Sequence, residues 1–186
     1  MGVIFYIVYG IWLLSEILIN RLMRSGVGDQ QGLDKRSLRI IWITVIIACT
    51  SGTVIGSFLY LPIFSDPSMR YLGLALILLG ILLRIIVIRA LGQAFTADVT
   101  IRENHKLKTD GPYRIVRHPS YAASLLSFMG FGFSLNNWLS LVLIMALIIS
   151  AFLYRIRIEE SALIQAFGDA YAQYQQRTSM LIPYLV

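Results

Sequence analysis

Apolar and polar positions along this chain fall in long blocks. Apolar runs fill about 3–20, 40–64, 71–91, 120–135 and 138–154, and polar, turn-rich stretches separate them. Runs at or near the roughly 18–20 residues that carry a helix across a bilayer predict five transmembrane helices. The fourth run, Ser120 to Leu135, spans only roughly 24 Å as a helix, against a hydrocarbon core of ~30 Å. Asn136-Asn137 then turns the chain and Trp138 to Tyr154 returns it, so the last two spans read as a helical hairpin. Within the second run, Ala48, Gly52 and Gly56 recur every four residues, and small side chains on one face let neighbouring helices approach closely in lipid.

The polar blocks differ from one another. The loop after the first span carries Arg21, Arg24, Lys35, Arg36 and Arg39; its Gly26-Val27-Gly28 has no preceding strand and reads as linker, not as a phosphate loop. Residues 92–118 form the longest polar segment, with Ala97 to Ile101 a brief extended stretch. In the tail, 155–186, Leu163, Phe167, Tyr171 and Tyr174 repeat at helical spacing. Gly168-Asp169 is expected to interrupt that helix, with Asp169 capping a second one, and the apolar end from Met180 is expected to fold back. The fold class is therefore an all-α integral membrane protein, one membrane domain over 1–186, with an amphipathic C-terminal helical segment.

Composition agrees. The chain is 57% hydrophobic and 14% charged, where a soluble domain carries roughly 25% charged residues. Its net charge of +6 needs no nucleic acid, because Lys and Arg collect on the cytoplasmic side of membrane proteins. Five alternating spans put the first loop, the 92–118 segment and the tail on one face, all basic on balance and hence cytoplasmic. The N-terminal run has neither the basic flank nor the cleavage site of a signal peptide and reads as a retained span. The lone Cys49 offers neither a disulfide framework nor a metal-ligand cluster, so no metal is expected. Glu16 stands near the end of the first span. Arg84 and Arg89, in the last turns of the third, either snorkel to headgroups or line a polar cavity below the following loop.

Candidate chemistry gathers in His105 to Tyr121, which holds both histidines of the chain and two of its five prolines. In Arg117-His118-Pro119, proline suits the first helical position, which makes His118 the cap of the fourth span. A helix start beside an arginine favours an anion there, a carboxylate or phosphate. The bland alternative is a plain helix start, with Arg117 facing lipid phosphates. Tyr113 and Tyr121 flank this corner, either as interfacial anchors or as faces for a base or cation. In Arg155-Ile-Arg157-Ile-Glu159-Glu160, Arg155 can meet Glu159 and Arg157 can meet Glu160 on one helix. Either this is a salt-bridged turn, or the hairpin carries it back beside His118 to close a pocket.

The segments 91–96 (Leu-Gly-Gln-Ala-Phe-Thr), 105–114 (His-Lys-Leu-Lys-Thr-Asp-Gly-Pro-Tyr-Arg), 117–121 (Arg-His-Pro-Ser-Tyr), 155–160, 167–174 (Phe-Gly-Asp-Ala-Tyr-Ala-Gln-Tyr) and Ile182-Pro183 resemble the isoprenylcysteine carboxyl methyltransferase family. The likeness covers roughly the C-terminal half, and related phospholipid methyltransferases share a similar core. It implies S-adenosylmethionine-dependent methyl transfer at the cytoplasmic face, with S-adenosylhomocysteine as product. It further implies a pocket closed by the C-terminal segment and a lipophilic acceptor entering from the bilayer. By motif, His105, Lys106 and Leu107 would contact the adenine region; Tyr113, His118 and Tyr121 the amino-acid end; and Glu159 the ribose or a nearby group. Arg117, Arg155 and Glu160 match positions that would orient the reacting carboxylate or complete the pocket. An isoprenylcysteine-like carboxylate is the leading acceptor. A phospholipid or small-molecule N- or S-methyltransferase, or a non-enzymatic transporter or scaffold, is the alternative, and the oligomeric state is open.

Overall fold

In a computed structural model, the structure describes residues 2–22, 35–92 and 107–183. Among the described residues, six α-helices follow in order: α1 Val3–Leu22, α2 Lys35–Phe58, α3 Arg70–Leu91, α4 Pro119–Leu135, α5 Trp138–Phe167 and α6 Asp169–Arg177. By length and composition, α1, α2, α3 and α5 suffice to cross a membrane. Where five crossing helices are expected, α4 is the short one: its 17 residues rise roughly 26 Å. The side chains agree with a lipid environment, since Ile7, Leu14, Ile43, Ile46, Leu82 and Val142 lie exposed on these helices.

The expected boundaries need two corrections. α2 begins at Lys35 and stops at Phe58, six residues before the expected end. The chain from Leu59 to Phe64 is instead tied to the α4–α5 turn. Asn136 Oδ1 accepts from the Ile63 and Phe64 amides at 3.1 and 2.8 Å, and Asn137 Nδ2 donates to Leu59 O at 2.6 Å. Those asparagines satisfy backbone groups that Pro62 prevents a helix from satisfying itself. α5 runs thirteen residues beyond the expected Tyr154, over roughly 45 Å, so its charged end extends past a ~30 Å core. Gly168, at φ 54°, ends α5 and caps α6. Asp169 is therefore the first residue of α6, and the expected cap role passes to the glycine, which tolerates a left-handed φ.

α2 packs on α5, α5 on α4, α4 on α3, and α3 on α1. α4 is the middle of this arc, and its small residues set the spacing. A Cβ added to Gly130 would stand 2.6 Å from Gly73 O, so α3 and α4 meet backbone to backbone. On the other side the expected small-residue face of α2 is realised: a Cβ at Gly52 would meet Ile144 Cδ1 at 2.6 Å, and Ser140 Oγ donates to Gly52 O at 2.7 Å. α1 closes the arc through aromatic contacts of Tyr9 with Phe131 and of Trp12 with Phe128.

Candidate active site

The corner begins with backbone geometry. A 3-10 turn, Gly111–Arg114, leads to His118, the residue preceding α4, and Pro119 takes the first helical position. Beside it the chain returns after α6: Val116 pairs with Ser179 in a parallel bridge, the Arg117 amide donates to Ser179 O at 2.9 Å, and the His118 amide donates to Met180 O at 3.1 Å. Residues 179–180 are thus clamped against the start of α4, as the fold-back expectation requires.

Side chains then close the corner. Arg117 Nε donates to Glu160 Oε1 at 2.8 Å, and its Nη1 donates to Gln175 O at 3.0 Å and also to Thr178 O. His118 Nε2 lies 3.1 Å from the same Glu160 oxygen. Gln175 Nε2 donates to Glu160 Oε2 at 3.1 Å, and the Tyr171 hydroxyl reaches Oε1 at 3.5 Å. The α4 start and the far end of α5 therefore meet. The basic partners of Glu160 are Arg117 and His118, whereas Arg157, three residues before it on the same helix, lies exposed. This modifies the anion expectation: the negative charge that the helix start favours is supplied by the protein's own glutamate.

Glu159 and Arg155 complete the wall. The Tyr121 hydroxyl donates to Glu159 Oε2 at 2.9 Å, and Glu159 Oε1 lies 3.9 Å from His118 Nδ1. Arg155 is only 3% exposed; its Nε donates to the Tyr121 hydroxyl at 3.4 Å and its Nη1 to Ser37 Oγ of α2. From α6, the Tyr174 hydroxyl donates to Tyr113 O at 2.5 Å, locking the helix over the 3-10 turn. Burial raises the Tyr113, Tyr171 and Tyr174 phenols, Tyr174 to about 12, so they stay protonated, and Tyr171 and Tyr174 act as donors rather than bases.

These groups line one end of a cavity of about 480 Å3. Leu107, Tyr113, Arg117, His118, Tyr121, Arg155 and Glu159 all border it; Glu160 stands behind them. His105 and Lys106 lie outside the described residues. The other end is apolar, with Trp12 and Leu13 of α1 opposite Ile41, Trp42 and Val45 of α2, above Phe128 and Phe152. Between the ends sits a pair that sequence reasoning did not join: Arg84 Nη1 donates to both Glu16 carboxylate oxygens at 2.7 Å and also to Ser124 Oγ. The snorkelling alternative thus fits Arg89, which is exposed, while Arg84 turns into the cavity. The signal for Glu16 was its place in an apolar helix, where an ionisable side chain needs a partner.

Comparisons with known proteins agree with this architecture. Residues 68–170 match the family model described as phospholipid methyltransferase. The chain is 39% identical over 115 residues to protein-S-isoprenylcysteine O-methyltransferase B of Arabidopsis thaliana, covering 61% of this chain and 58% of that protein. It is 37% identical over 129 residues to protein-S-isoprenylcysteine O-methyltransferase of Schizosaccharomyces pombe, covering 68% and 54%. Among solved structures, the eukaryotic intramembrane Ras methyltransferase isoprenylcysteine carboxyl methyltransferase is similar with a TM-score of 0.61 at 28% identity, over 77% of this chain and 52% of that one. The chain thus spans a little over half the length of these relatives. With the family match extending over more than half of its 186 residues, this chain belongs to the phospholipid methyltransferase family, in which it is similar to the isoprenylcysteine methyltransferases.

Proposed function

We propose that this protein transfers a methyl group from S-adenosylmethionine to the carboxylate of an isoprenylcysteine-like or other lipid-soluble acceptor, at the cytoplasmic face of a membrane. The observation that carries this reading is the single cavity with two unlike ends, one charged and hydroxyl-rich, the other apolar. A polar donor and a lipophilic acceptor need such a space if their reacting atoms are to meet.

The residues fit the donor. Glu159 offers carboxylate oxygens to ribose hydroxyls, and the rings of Tyr113 and Tyr121 give a cationic sulfonium an aromatic surround. Leu107, with His105 and Lys106 just before it in sequence, is assigned to the adenine; His118, with the tyrosines, is assigned to the amino-acid end. S-adenosylmethionine bound here supplies an electrophilic methyl group and leaves as S-adenosylhomocysteine. Arg155 and Arg117 orient the acceptor carboxylate. Glu160 is a positioning residue in this scheme, because it holds Arg117 and His118 from behind the cavity wall. A carboxylate is already ionised at neutral pH, so the displacement needs no general base and the burden falls on alignment. The neutral phenols around the site suit that chemistry, whereas an amine or thiol acceptor would have to lose a proton.

In this reading α4 completes a fifth crossing, 1–186 forms one membrane domain, and the basic loops and the C-terminus face the cytoplasm. The test uses purified protein in detergent. S-adenosylmethionine and S-adenosylhomocysteine should raise its melting temperature where ATP does not, and labelled methyl should pass to a prenylcysteine acceptor. No stabilisation by either ligand together with no transfer would sink the reading. Topology is checked separately by terminal tags: the C-terminal tag should be reached from the cytoplasm and the N-terminal tag should not.

A further inference from the structure

A second cavity, of about 360 Å3, shares no lining residue with the first. Its walls come from both sides of the clamp that holds the returning chain. Arg114 and Ile115 stand on the side of the turn before α4, and Gln176, Arg177, Thr178 and Ser179 on the side of α6. The two sides are joined by backbone: the Ser179 amide donates to Ile115 O at 3.1 Å, and Val116 pairs with Ser179 in parallel. Arg114 and Arg177 each stand two residues before their member of that parallel pair, so the clamp brings them in side by side. Both side chains are exposed, and both border the cavity, so a solute in water reaches them together.

Charge decides what fits. Among the described residues, neither arginine forms an ion pair, and none that lines the cavity carries a carboxylate. The last carbonyls of α6 would repel an anion, but they are already taken. Arg117 donates to Gln175 O and Thr178 O, and the Thr178 hydroxyl donates to Tyr174 O at 2.6 Å. What faces the cavity is therefore two like charges, whose repulsion an anion held by both would relieve. A carboxylate fills one guanidinium fork with its two oxygens, whereas a phosphate has oxygens enough for two forks.

We propose that Arg114 and Arg177 form an anion site that takes a phosphate group, and that its occupation braces the end of α6 against the start of α4. An anion bridging two segments binds their joined form better than their separated form, so it shifts the equilibrium towards the clamp. The phosphate comes either free in solution or on an anionic lipid headgroup; Ile115, 47% exposed beside Arg114, offers a headgroup an apolar neighbour. The site is independent of the methyl-transfer reading, because none of its residues is given a part in that reaction.

The test uses the full chain without S-adenosylmethionine, so failure of the proposed reaction leaves the result intact. One arm adds inorganic phosphate in detergent, measured against potassium chloride of equal ionic strength. The other places the protein in phosphatidylcholine vesicles with and without phosphatidylglycerol. Hydrogen exchange at the Arg117, His118 and Ser179 amides, which make the clamp, is read in both, and melting temperature in detergent. In at least one arm, exchange at those amides should slow about tenfold, and Arg114→Gln combined with Arg177→Gln should abolish the slowing. A response to phosphate alone assigns the site to the free ion, and a response to phosphatidylglycerol alone assigns it to a headgroup. No response in either arm, or one that the double variant keeps, overturns the site. If the double variant does not fold, Arg177→Gln alone decides: apparent affinity about tenfold lower supports the site, and unchanged affinity overturns it.

Discussion

The corner where α4 begins and the wall where α1 faces α2 border one cavity, yet they are built on opposite rules. At the corner, segments far apart in sequence are joined by directional bonds: Arg117 to Glu160, to Gln175 O and to Thr178 O, His118 to Glu160, and Tyr174 to Tyr113 O. At the wall, Leu13, Ile41, Trp42 and Val45 offer apolar surface with no angular preference. Directional bonds hold a geometry within tenths of an ångström, which alignment for a methyl displacement requires. Dispersion contacts admit any apolar chain of about the right volume, and in lipid they gain nothing from expelling water. In the proposed function, the first region would fix the donor and the second would select the acceptor.

Glu160→Ala is the harshest way to break this contrast. It strands Arg117 and His118, whose side chains are 10% and 3% exposed, without their shared carboxylate. Removing one partner of a largely buried pair costs on the order of 3–5 kcal/mol. S-adenosylmethionine affinity by calorimetry, or turnover, should fall at least about tenfold, and His118→Ala should do the same. Normal affinity and normal turnover in both variants would mean that the corner holds no donor.

A smaller effect is expected at the seam that carries the corner. Gly130→Ala puts a methyl 2.6 Å from Gly73 O, which forces α3 and α4 apart at a cost of about 1–3 kcal/mol. Gly10→Ala on α1, with nothing within 4 Å of the added Cβ, is its control. A lowered melting temperature only in the Gly130 variant confirms that the middle helices set the frame; equal melting of the two removes that distinction.

The mildest change sharpens the comparison. Tyr174→Phe deletes one hydrogen bond, to Tyr113 O, worth about 1 kcal/mol. Donor affinity should weaken several-fold while the KM for a lipophilic acceptor holds. A shift in acceptor KM instead would mean that α6 governs both ends of the cavity.

Much of the fold was legible along the chain because lipid imposes a strong rule: uninterrupted apolar runs must become helices. That rule located all five apolar helices; Pro119 marked where α4 begins, and Gly168-Asp169 marked the break before α6, with the cap one residue earlier than expected. It could not place the end of α2, since the backbone of 59–64 is satisfied by Asn136 and Asn137 from a turn more than seventy residues later. Nor could it read the length of α5, because a helix passing from lipid to water keeps its backbone bonds while its hydropathy changes. The Arg117-His118-Pro119 and Arg155–Glu160 clusters stood out as composition, and the hairpin argument brought them together.

The sequence by itself determined which residues carry charge into an apolar chain, because such residues are too costly in lipid to stand there without partners. Only the tertiary structure decided which partners they take. Local spacing offered Glu160 to Arg157, but packing gave it to Arg117 and His118; Glu16 and Arg84 meet across 68 positions of sequence. The reason is physical: helical periodicity fixes neighbours within a helix, whereas the contacts between helices depend on which backbones approach closely, and that was settled by Gly73, Gly130 and Gly52.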